Sequence, residues 1–260
     1  MAEDLSWRQL APDEVRVLEA GGSQAEDWSR IRVAPGFRPE TVSRCRLSGA
    51  VRLGAFRSPA ILHGIPIPSG VRDSRLHDAT VHDDALVEQV GLLSRCAVGP
   101  GAVLWRCEAI VQDGESSYGN GVLLDVLNEG GGRPLRLCEP LSAPHAYLAA
   151  CYRHRPRLGE ALDRMAATYA ASRRSREATI GPQAQILQCG LLQAMRIGPA
   201  ARVIGARHLA NGTVVSSPAA PACIGHGVEA EDFLLLEGSA VESGAQLSRC
   251  FVGQGCRIGR

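Results

Sequence analysis

The chain contains 260 residues, of which 45% are hydrophobic and 4% aromatic, and its formal net charge is +1. The near-neutral net charge argues against nucleic acid or an anionic membrane as a partner. No apolar run has the length of about 18 residues that a membrane span needs. All 28 basic residues are arginine, which excludes a Schiff-base lysine and a P-loop lysine.

The nine cysteines are odd in number, stand singly and include no CxxC pair, as is typical of a reducing compartment. The first residues, MAEDLSWRQLAPDE, are acidic and polar, unlike a secretory signal. We therefore expect a cytoplasmic protein whose cysteines serve as small apolar core residues.

Residues 1–41 are predicted to form a short helical cap. Pro12 is favourable in a first helical turn, and Gly21-Gly22 ends that helix. Ser23 is a candidate N-cap for a second helix, with Trp28 as its apolar anchor. We expect the helices to cover an open sheet end, which would otherwise invite edge pairing.

Two stretches, 42–111 and 180–260, repeat one aliphatic pattern. The pattern has an aliphatic residue at position i, a small residue at i+4 and a second aliphatic residue at i+6. It recurs 17 residues later. Successive aliphatic steps are six, five and six residues in Val241, Leu247, Val252 and Ile258. Copies of the pattern begin at Leu47, Val81, Val98, Ile180, Ile197, Ile224, Val241 and Val252.

This spacing fits neither an α-helix nor an alternating strand. It predicts a mainly β protein built as a triangular solenoid, in which each inward aliphatic stacks on its counterpart one coil away. The glycines that follow the inward aliphatics are predicted at turns, with backbone angles that other residues avoid: Gly99, Gly181, Gly198, Gly225, Gly253 and Gly259.

Residues 112–179 interrupt the repeat and are predicted to be an inserted β-hairpin and helical pair. YGNG at 118–121 is a turn sequence, and 122–127 pairs with 134–138 around the tip NEGGG. One helix begins near Ser142, and a longer one follows Pro156. The longer helix carries an apolar stripe at helical spacing: Leu158, Leu162, Met165 and Tyr169.

A smaller interruption is predicted in the second stretch. Ile197 and Ile224 are 27 residues apart, which is one period plus ten. We expect the segment RHLANGTVVSS, 207–217, to be a protruding loop or an irregular coil.

The repeat resembles the hexapeptide-repeat superfamily, whose fold is the left-handed parallel β-helix. The resemblance implies the left hand, a homotrimer and acyl transfer from coenzyme A or acyl carrier protein to a sugar or an amine. Three segments, EDWSRIRV, YGNGVLLDVLNEGGGR and LSRCFVGQGC, also resemble an uncharacterised bacterial β-helix family of unknown function. Members of that family continue for many coils, so the resemblance implies that this chain, ending at Arg260, is truncated.

A histidine acts as the general base in hexapeptide-repeat enzymes, and seven histidines are available here. His82 and His226 follow inward aliphatics at predicted turns. We select His208 as the catalytic candidate, because it lies in the interruption and Asn211 could orient its imidazole. The alternative for each histidine is a solvated turn residue.

The insertion supplies the substrate-binding candidates Asn120, Asn128, Glu129 and Arg133. A carboxylate and a guanidinium flank three glycines, and arginine recognises phosphate or carboxylate groups well. The alternative is a solvated hairpin tip. Histidines and cysteines show no metal-ligand spacing, so we expect no metal.

Two functions remain open at this point. The first is a transferase-like enzyme that acylates a sugar or sugar nucleotide, with acyl-coenzyme A as co-substrate and no other cofactor. The second is a non-catalytic scaffold or ligand-binding module. In both cases we expect a homo-oligomer that binds a small molecule rather than nucleic acid or membrane.

Overall fold

The computed structural model describes residues 7–125, 134–152 and 154–259. It is mainly β, and its described part contains three α-helices: α1 (Pro12–Ala20), α2 (Ala143–Cys151) and α3 (Pro156–Ser172). Single 3-10 turns lie at Trp28–Arg30 and Pro39–Thr41. No helix in these ranges combines the length and the hydropathy that crossing a bilayer requires.

The strands are short, and most have two or three residues. The first ten are β1 (Arg8–Gln9), β2 (Gln24–Ala25), β3 (Ile31–Val33), β4 (Val42–Ser43), β5 (Arg46–Ser48), β6 (Val51–Leu53), β7 (Ala60–Leu62), β8 (Ile65–Ile67), β9 (Gly70–Arg72) and β10 (Arg75–His77). The next ten are β11 (Thr80–Val81), β12 (Leu86–Glu88), β13 (Leu92–Ser94), β14 (Cys96–Val98), β15 (Val103–Trp105), β16 (Ala109–Val111), β17 (Leu123–Asp125), β18 (Pro134–Arg136), β19 (Ala178–Ile180) and β20 (Gln185–Leu187). The last eight are β21 (Leu191–Ile197), β22 (Arg202–Ile204), β23 (His208–Val214), β24 (Cys223–Ile224), β25 (Glu229–Leu235), β26 (Ala240–Val241), β27 (Gln246–Val252) and β28 (Arg257–Ile258).

Two mostly parallel sheets, of fifteen and nine strands, curl around one core. The larger sheet consists of two columns of strands. The first column contains β2, β5, β10, β13, β16 and the N-terminal halves of β21, β23, β25 and β27. The second column contains β3, β6, β11, β14, β19 and the C-terminal halves of the same four strands. The nine-stranded sheet is the third column.

Inward aliphatic residues stack in register along each column. In the second column, Val81 pairs with Val98, Val98 with Ile180 and Ile180 with Ile197. These four side chains are buried, as is Val241, and Leu247 packs partly buried against the same core. The predicted inward orientation of the repeated aliphatics is therefore confirmed.

Three of the six repeat glycines are needed for a different reason from the one expected, whereas a Cβ at Gly225, Gly253 or Gly259 would meet no atom closer than 3.4 Å. Gly99, Gly181 and Gly198 do not have positive φ. A Cβ at these three positions would approach the backbone of the next repeat to 2.7, 2.5 and 2.6 Å respectively. Close approach of neighbouring turns, rather than unusual backbone angles, therefore requires glycine there.

The N-terminal region contains one α-helix, and the predicted second helix is wrong. α1 contributes the fully buried Leu18 to the core. Beyond it, β2 and β3 pair with β5 and β6, and only a 3-10 turn lies at Trp28. Ser23 Oγ accepts a hydrogen bond from Cys45 N instead of capping a helix. Residues 24–33 thus consist of two short strands with a 3-10 turn between them.

A protruding loop, one of the two alternatives predicted for 207–217, is wrong over most of that length. Residues 208–214 form β23, which pairs in parallel with β21 and β25. Ile197 pairs with Val214 after one regular period, whereas Ile224 pairs with Val203 in the third column. The comparison of Ile197 with Ile224 therefore mixed two columns, and the extra residues lie after Val214.

The insertion forms a second small core. β17 and β18 pair antiparallel, and α2 begins at Ala143 with Ser142 as its N-cap, in agreement with the predicted start near Ser142. Buried side chains of the hairpin, the following segment and α3 pack with Leu234 of the sheet: Leu135, Leu137, Cys138, Leu141 and Ala166. The predicted stripe of α3 is displaced, because Met165 is 55% exposed while Ala166 and Ala170 are buried.

A second excursion, unforeseen from the sequence, covers the outer side of the third column. The antiparallel pair β7–β8 packs Ala60 and Leu62 on the column residues Leu86, Val103 and Leu187. It lengthens the connection from β6 to β9 and so changes the spacing between repeats there.

Stability should depend on the inward residues far more than on their outward neighbours. Leu93 is fully buried, whereas the adjacent Leu92 is 37% exposed. We expect Leu93→Ala to lower the free energy of unfolding by about 2–5 kcal/mol and Leu92→Ala by less than about 1 kcal/mol. Urea unfolding of both variants measures this difference, and equal losses would contradict the inward stacking.

Candidate functional site

The insertion is anchored to the sheet by the turn 116–121, which we call the insertion root. Tyr118 is almost fully buried, and its hydroxyl donates to Glu177 O at 2.6 Å. Gly119 has φ +80°, and a Cβ there would lie 2.6 Å from Phe233 O. Only glycine therefore fits between the root and the sheet at this position.

Asn211 joins the root to the sheet. Its Oδ1 accepts hydrogen bonds from Ser116 Oγ at 2.8 Å and Gly119 N at 3.0 Å. Its Nδ2 donates to Asp232 Oδ1 at 2.6 Å. The residue has φ +46° at the corner between the two columns, a conformation that asparagine tolerates better than most residues. The side chain is thus engaged in structural contacts on both sides.

Asn120 makes a second anchor and is 2% exposed. Its Oδ1 accepts from Glu139 N at 2.9 Å, and its Nδ2 donates to Ser117 O at 3.0 Å. Thr213 Oγ1 donates to Tyr118 O at 2.6 Å beside it. The buried polar groups of the root are thus satisfied by the root, by Glu139 and by Thr213 of the sheet, and the bond from Thr213 fixes the root on the sheet.

A charged group borders these anchors. The Glu139 side chain is 14% exposed and lies 3.6 Å from Arg173 Nη2 and 3.5 Å from Arg196 Nη1. Arg173 Nε donates to Tyr169 Oη at 2.9 Å. Burial raises the pKa of Tyr169, so its phenol stays protonated at neutral pH. The Glu139 carboxylate thus pairs with two guanidinium groups, that of Arg173 directly after α3 and that of Arg196 in β21.

The catalytic candidates His208 and Asn211 are not hydrogen-bonded to each other. His208 begins β23, between Leu191 and Glu229 on neighbouring strands. Its Nε2 is buried and has no hydrogen-bond partner in the described part of the chain. Of the substrate-binding candidates, Asn120 lies in the insertion root, and Asn128, Glu129 and Arg133 lie outside the described residues. The structure therefore brings Asn120 and Asn211 to one junction and leaves His208 apart from their hydrogen bonds.

The two other histidines considered from the sequence lie on the turns. His82 is close to Trp7, with ring centroids 6.1 Å apart, and burial lowers its pKa. His226 lies at the turn before Gly227 and packs closely against Gly205.

Five of the nine cysteines are buried core residues, whereas Cys151 and Cys256 are exposed, contrary to the expectation from the sequence. Cys45, Cys96, Cys107 and Cys189 are buried. Burial raises the pKa of the Cys45 thiol to about 11 and that of Cys96 further. Such thiols are protonated at neutral pH and are poor nucleophiles. Within the described ranges, no group of three or more histidine, cysteine or acidic side chains is arranged to hold a metal ion.

A cleft of about 410 Å³ opens between the hairpin β17–β18 and the helices α2 and α3. We call it the insertion cleft. Its polar lining contains an imidazole, two guanidinium groups and two carboxylates, over an apolar floor that includes Leu135 and Ala166. The polar residues are His145, Arg136, Arg155, Glu160 and Asp163.

The polar groups of the cleft are held to different degrees. Arg136 is fixed, since its Nε donates to Asp163 Oδ1 at 2.9 Å and its Nη1 to Gly121 O at 3.1 Å. Arg155 precedes the first turn of α3 and forms no ion pair with another described residue. Arginine with unused donors in a concave site is suited to a phosphate or carboxylate.

Sequence reasoning missed His145, Arg136 and Arg155. They come from α2, β18 and the start of α3, and they form no recognisable motif. The sequence offered one indication of this cleft. If the predicted hairpin and the two predicted helices pack against each other, polar residues from all three must lie close together.

Comparisons with known proteins give a family without a function. A family model described as "Domain of unknown function (DUF4954)" matches residues 7–260. An uncharacterized protein of Treponema pallidum (strain Nichols) is 27% identical over 265 residues, covering 97% of this chain and 34% of the relative. The chain thus spans about a third of that relative's length.

Among solved structures, one match is weak in both sequence identity and structural similarity. The crystal structure of a "putative acetyltransferase" from Desulfovibrio desulfuricans G20 matches at 10% identity, over 86% of this chain and 65% of that one. Its TM-score is 0.12.

The root should depend on Thr213 more than on a matched threonine of the same column. Thr213→Val removes the hydroxyl that bonds Tyr118 O, whereas Thr179 makes no side-chain hydrogen bond with the described residues. We expect Thr213→Val to lower the free energy of unfolding by about 1–3 kcal/mol and to accelerate amide hydrogen exchange in residues 116–121. Thr179→Val should change stability by about 0.5 kcal/mol or less. Equal exchange in both variants would contradict the anchoring role.

Proposed function

We propose that this chain, which belongs to the family described as Domain of unknown function (DUF4954), binds an anionic sugar derivative in the insertion cleft and transfers an acyl group to it. The ligand class is a phosphorylated sugar or a sugar nucleotide, and the acyl donor is a thioester such as acyl-coenzyme A. The observation that carries the proposal is the convergence of His145, Arg136 and Arg155 in one cleft.

We also propose that the curled parallel sheet is a left-handed β-helix of the hexapeptide-repeat type. Three columns of short parallel strands and stacked aliphatics at 17-residue intervals, such as Leu76, Leu93 and Ile110, support it. This architecture would present the insertion as a rigidly supported binding element on one side of the sheet.

The cleft offers separate groups for binding and for chemistry. Arg155 would bind a phosphate oxygen, while Asp163 holds Arg136 in place beside it. The imidazole of His145 would take the proton from a sugar hydroxyl or amine as that group attacks the thioester carbonyl. The carbon–sulfur bond then breaks, an ester or amide forms, and the proton passes to the departing thiolate.

The binding step has a matched control in the chain itself. We expect Arg155→Gln to weaken binding of a UDP-sugar or GDP-sugar by about 10–100-fold, because a charge-assisted hydrogen bond to phosphate is lost. Arg157→Gln, in the first turn of α3 but outside the cleft, should bind as the wild type does. Isothermal titration calorimetry measures both, and equal affinities would remove the cleft from the proposal.

The chemical step is tested by acyl transfer from acetyl-coenzyme A to the sugar nucleotide that binds. We expect His145→Ala to lower the rate about 10²–10⁴-fold with binding retained. His208→Ala is the comparison: His208, the catalytic candidate from the sequence, does not line the cleft, so its loss should leave the rate unchanged. Ligand binding without turnover in the wild type would instead favour the non-catalytic binding module.

A further inference from the structure

A group of polar residues on the outer side of the first column belongs to neither the insertion cleft nor its root. Three neighbouring strands, β5, β10 and β13, place their outward residues side by side. Arg46 lies opposite Arg75, and Ser48 lies opposite His77. On the next strand, β13, Ser94 lies opposite His77. The arginine pair and the serine–histidine pair therefore occupy adjacent positions on one surface.

Ser48, His77 and Asp78 form a continuous polar chain. Ser48 Oγ lies 2.9 Å from His77 Nδ1, and His77 Nε2 lies 3.3 Å from Asp78 Oδ2. A carboxylate at Nε2 favours the tautomer that carries its proton there. Nδ1 is then the acceptor for the Ser48 hydroxyl proton. This is the order of roles that activates a serine as a nucleophile.

The backbone holds the carboxylate in this position. Asp78 has φ +47°, and its Oδ1 accepts a hydrogen bond from Ala50 N at 2.8 Å. Gly49 has φ +64°, and a Cβ there would collide with Asp78 Oδ1. The backbone hydrogen bond lowers the pKa of Asp78, which is therefore ionised at neutral pH. The turn thus places one carboxylate oxygen of Asp78 on the backbone amide of Ala50 and the other beside His77 Nε2.

Arg46 and Arg75, next to the group formed by Ser48, His77 and Asp78, have no counterion among the residues that the structure describes. Arg46 and Arg75 are exposed and directly opposite each other, and neither forms an ion pair with another residue that the structure describes. Like charges at opposed positions of a sheet are destabilising. An anionic group bound between the two guanidinium groups would offset this repulsion and would lie next to Ser48.

We propose that Ser48, His77 and Asp78, with Arg46 and Arg75, form a second site that cleaves acyl esters bearing a negative charge. His77 Nδ1 takes the proton of Ser48 Oγ as the oxygen attacks the ester carbonyl, and the leaving alcohol departs with that proton. A water molecule then loses a proton to Nδ1 and attacks the acyl-serine. The products are a carboxylic acid and the restored Ser48 hydroxyl. The arginines bind the anionic group of the substrate.

The test uses the full chain and two chromogenic esters, neutral 4-nitrophenyl acetate and the anionic mono-4-nitrophenyl succinate. We expect the wild type to hydrolyse both, with a lower KM for the succinate ester. Ser48→Ala should lower kcat at least about 100-fold, the scale of a lost nucleophile–base pair. Ser94→Ala is the matched control, because Ser94 flanks His77 on the opposite side and forms no side-chain hydrogen bond among the described residues.

Two further measurements separate chemistry from structure. Mass spectrometry of the wild type, quenched during turnover of the succinate ester, should show one added succinyl group on the peptide that contains Ser48. The double variant Arg46→Gln/Arg75→Gln should raise KM for the succinate ester about tenfold and leave the acetate ester unchanged. Urea unfolding of each variant establishes that it is folded.

The results that overturn the proposal are equally definite. Hydrolysis no faster than in buffer would refute it, as would Ser48→Ala that is folded and as active as Ser94→Ala. An equal change of KM for both esters in the double arginine variant would refute the anionic substrate class. Loss of nucleotide-sugar binding in the insertion cleft does not bear on these outcomes, because different residues are involved.

Discussion

The stacking of inward aliphatic side chains along three columns of parallel strands is the constraint on which the rest of the molecule depends. Each buried residue has its main contacts one repeat away, as Val98 does with Val81 and Ile180. In the described residues this interior is filled by stacked aliphatic side chains. Close backbone approach at residues such as Gly181 keeps neighbouring repeats at a fixed separation. The two sites proposed above lie outside this core, one within the insertion and one on the outer side of the first column.

The insertion illustrates how an added segment acquires a fixed position. Its own small core joins the hairpin to α3, and Leu234 is the sheet's buried contribution to that core. Asn120, Asn211 and Thr213 then determine the orientation through hydrogen bonds of defined direction. Apolar contact alone would allow sliding along the sheet, whereas these bonds require one register. The cleft is thus shaped within the insertion and placed by its root.

The outer faces provide a different kind of site. Residues in register on parallel strands lie about 4.8 Å apart, so side chains from distant parts of the chain meet at regular intervals. The arrangement brings Ser48 to His77 and Arg46 to Arg75. Because every basic residue is arginine, positive charge on these surfaces takes the form of planar donors suited to carboxylate and phosphate.

The sequence by itself determined the mainly β class and the inward residues, because a narrow core requires an aliphatic residue at nearly every fifth or sixth position. It also indicated α1, α2, α3 and the hairpin through turn and capping residues. Only the tertiary structure decided which column each repeat joins. Regular spacing could not reveal that residues added after Val214 shift Ile224 relative to Ile197, or that β7–β8 sets Ser48 opposite His77, 29 residues away. Such partners meet through lengths of intervening chain that follow no period, and a local pattern carries no record of them.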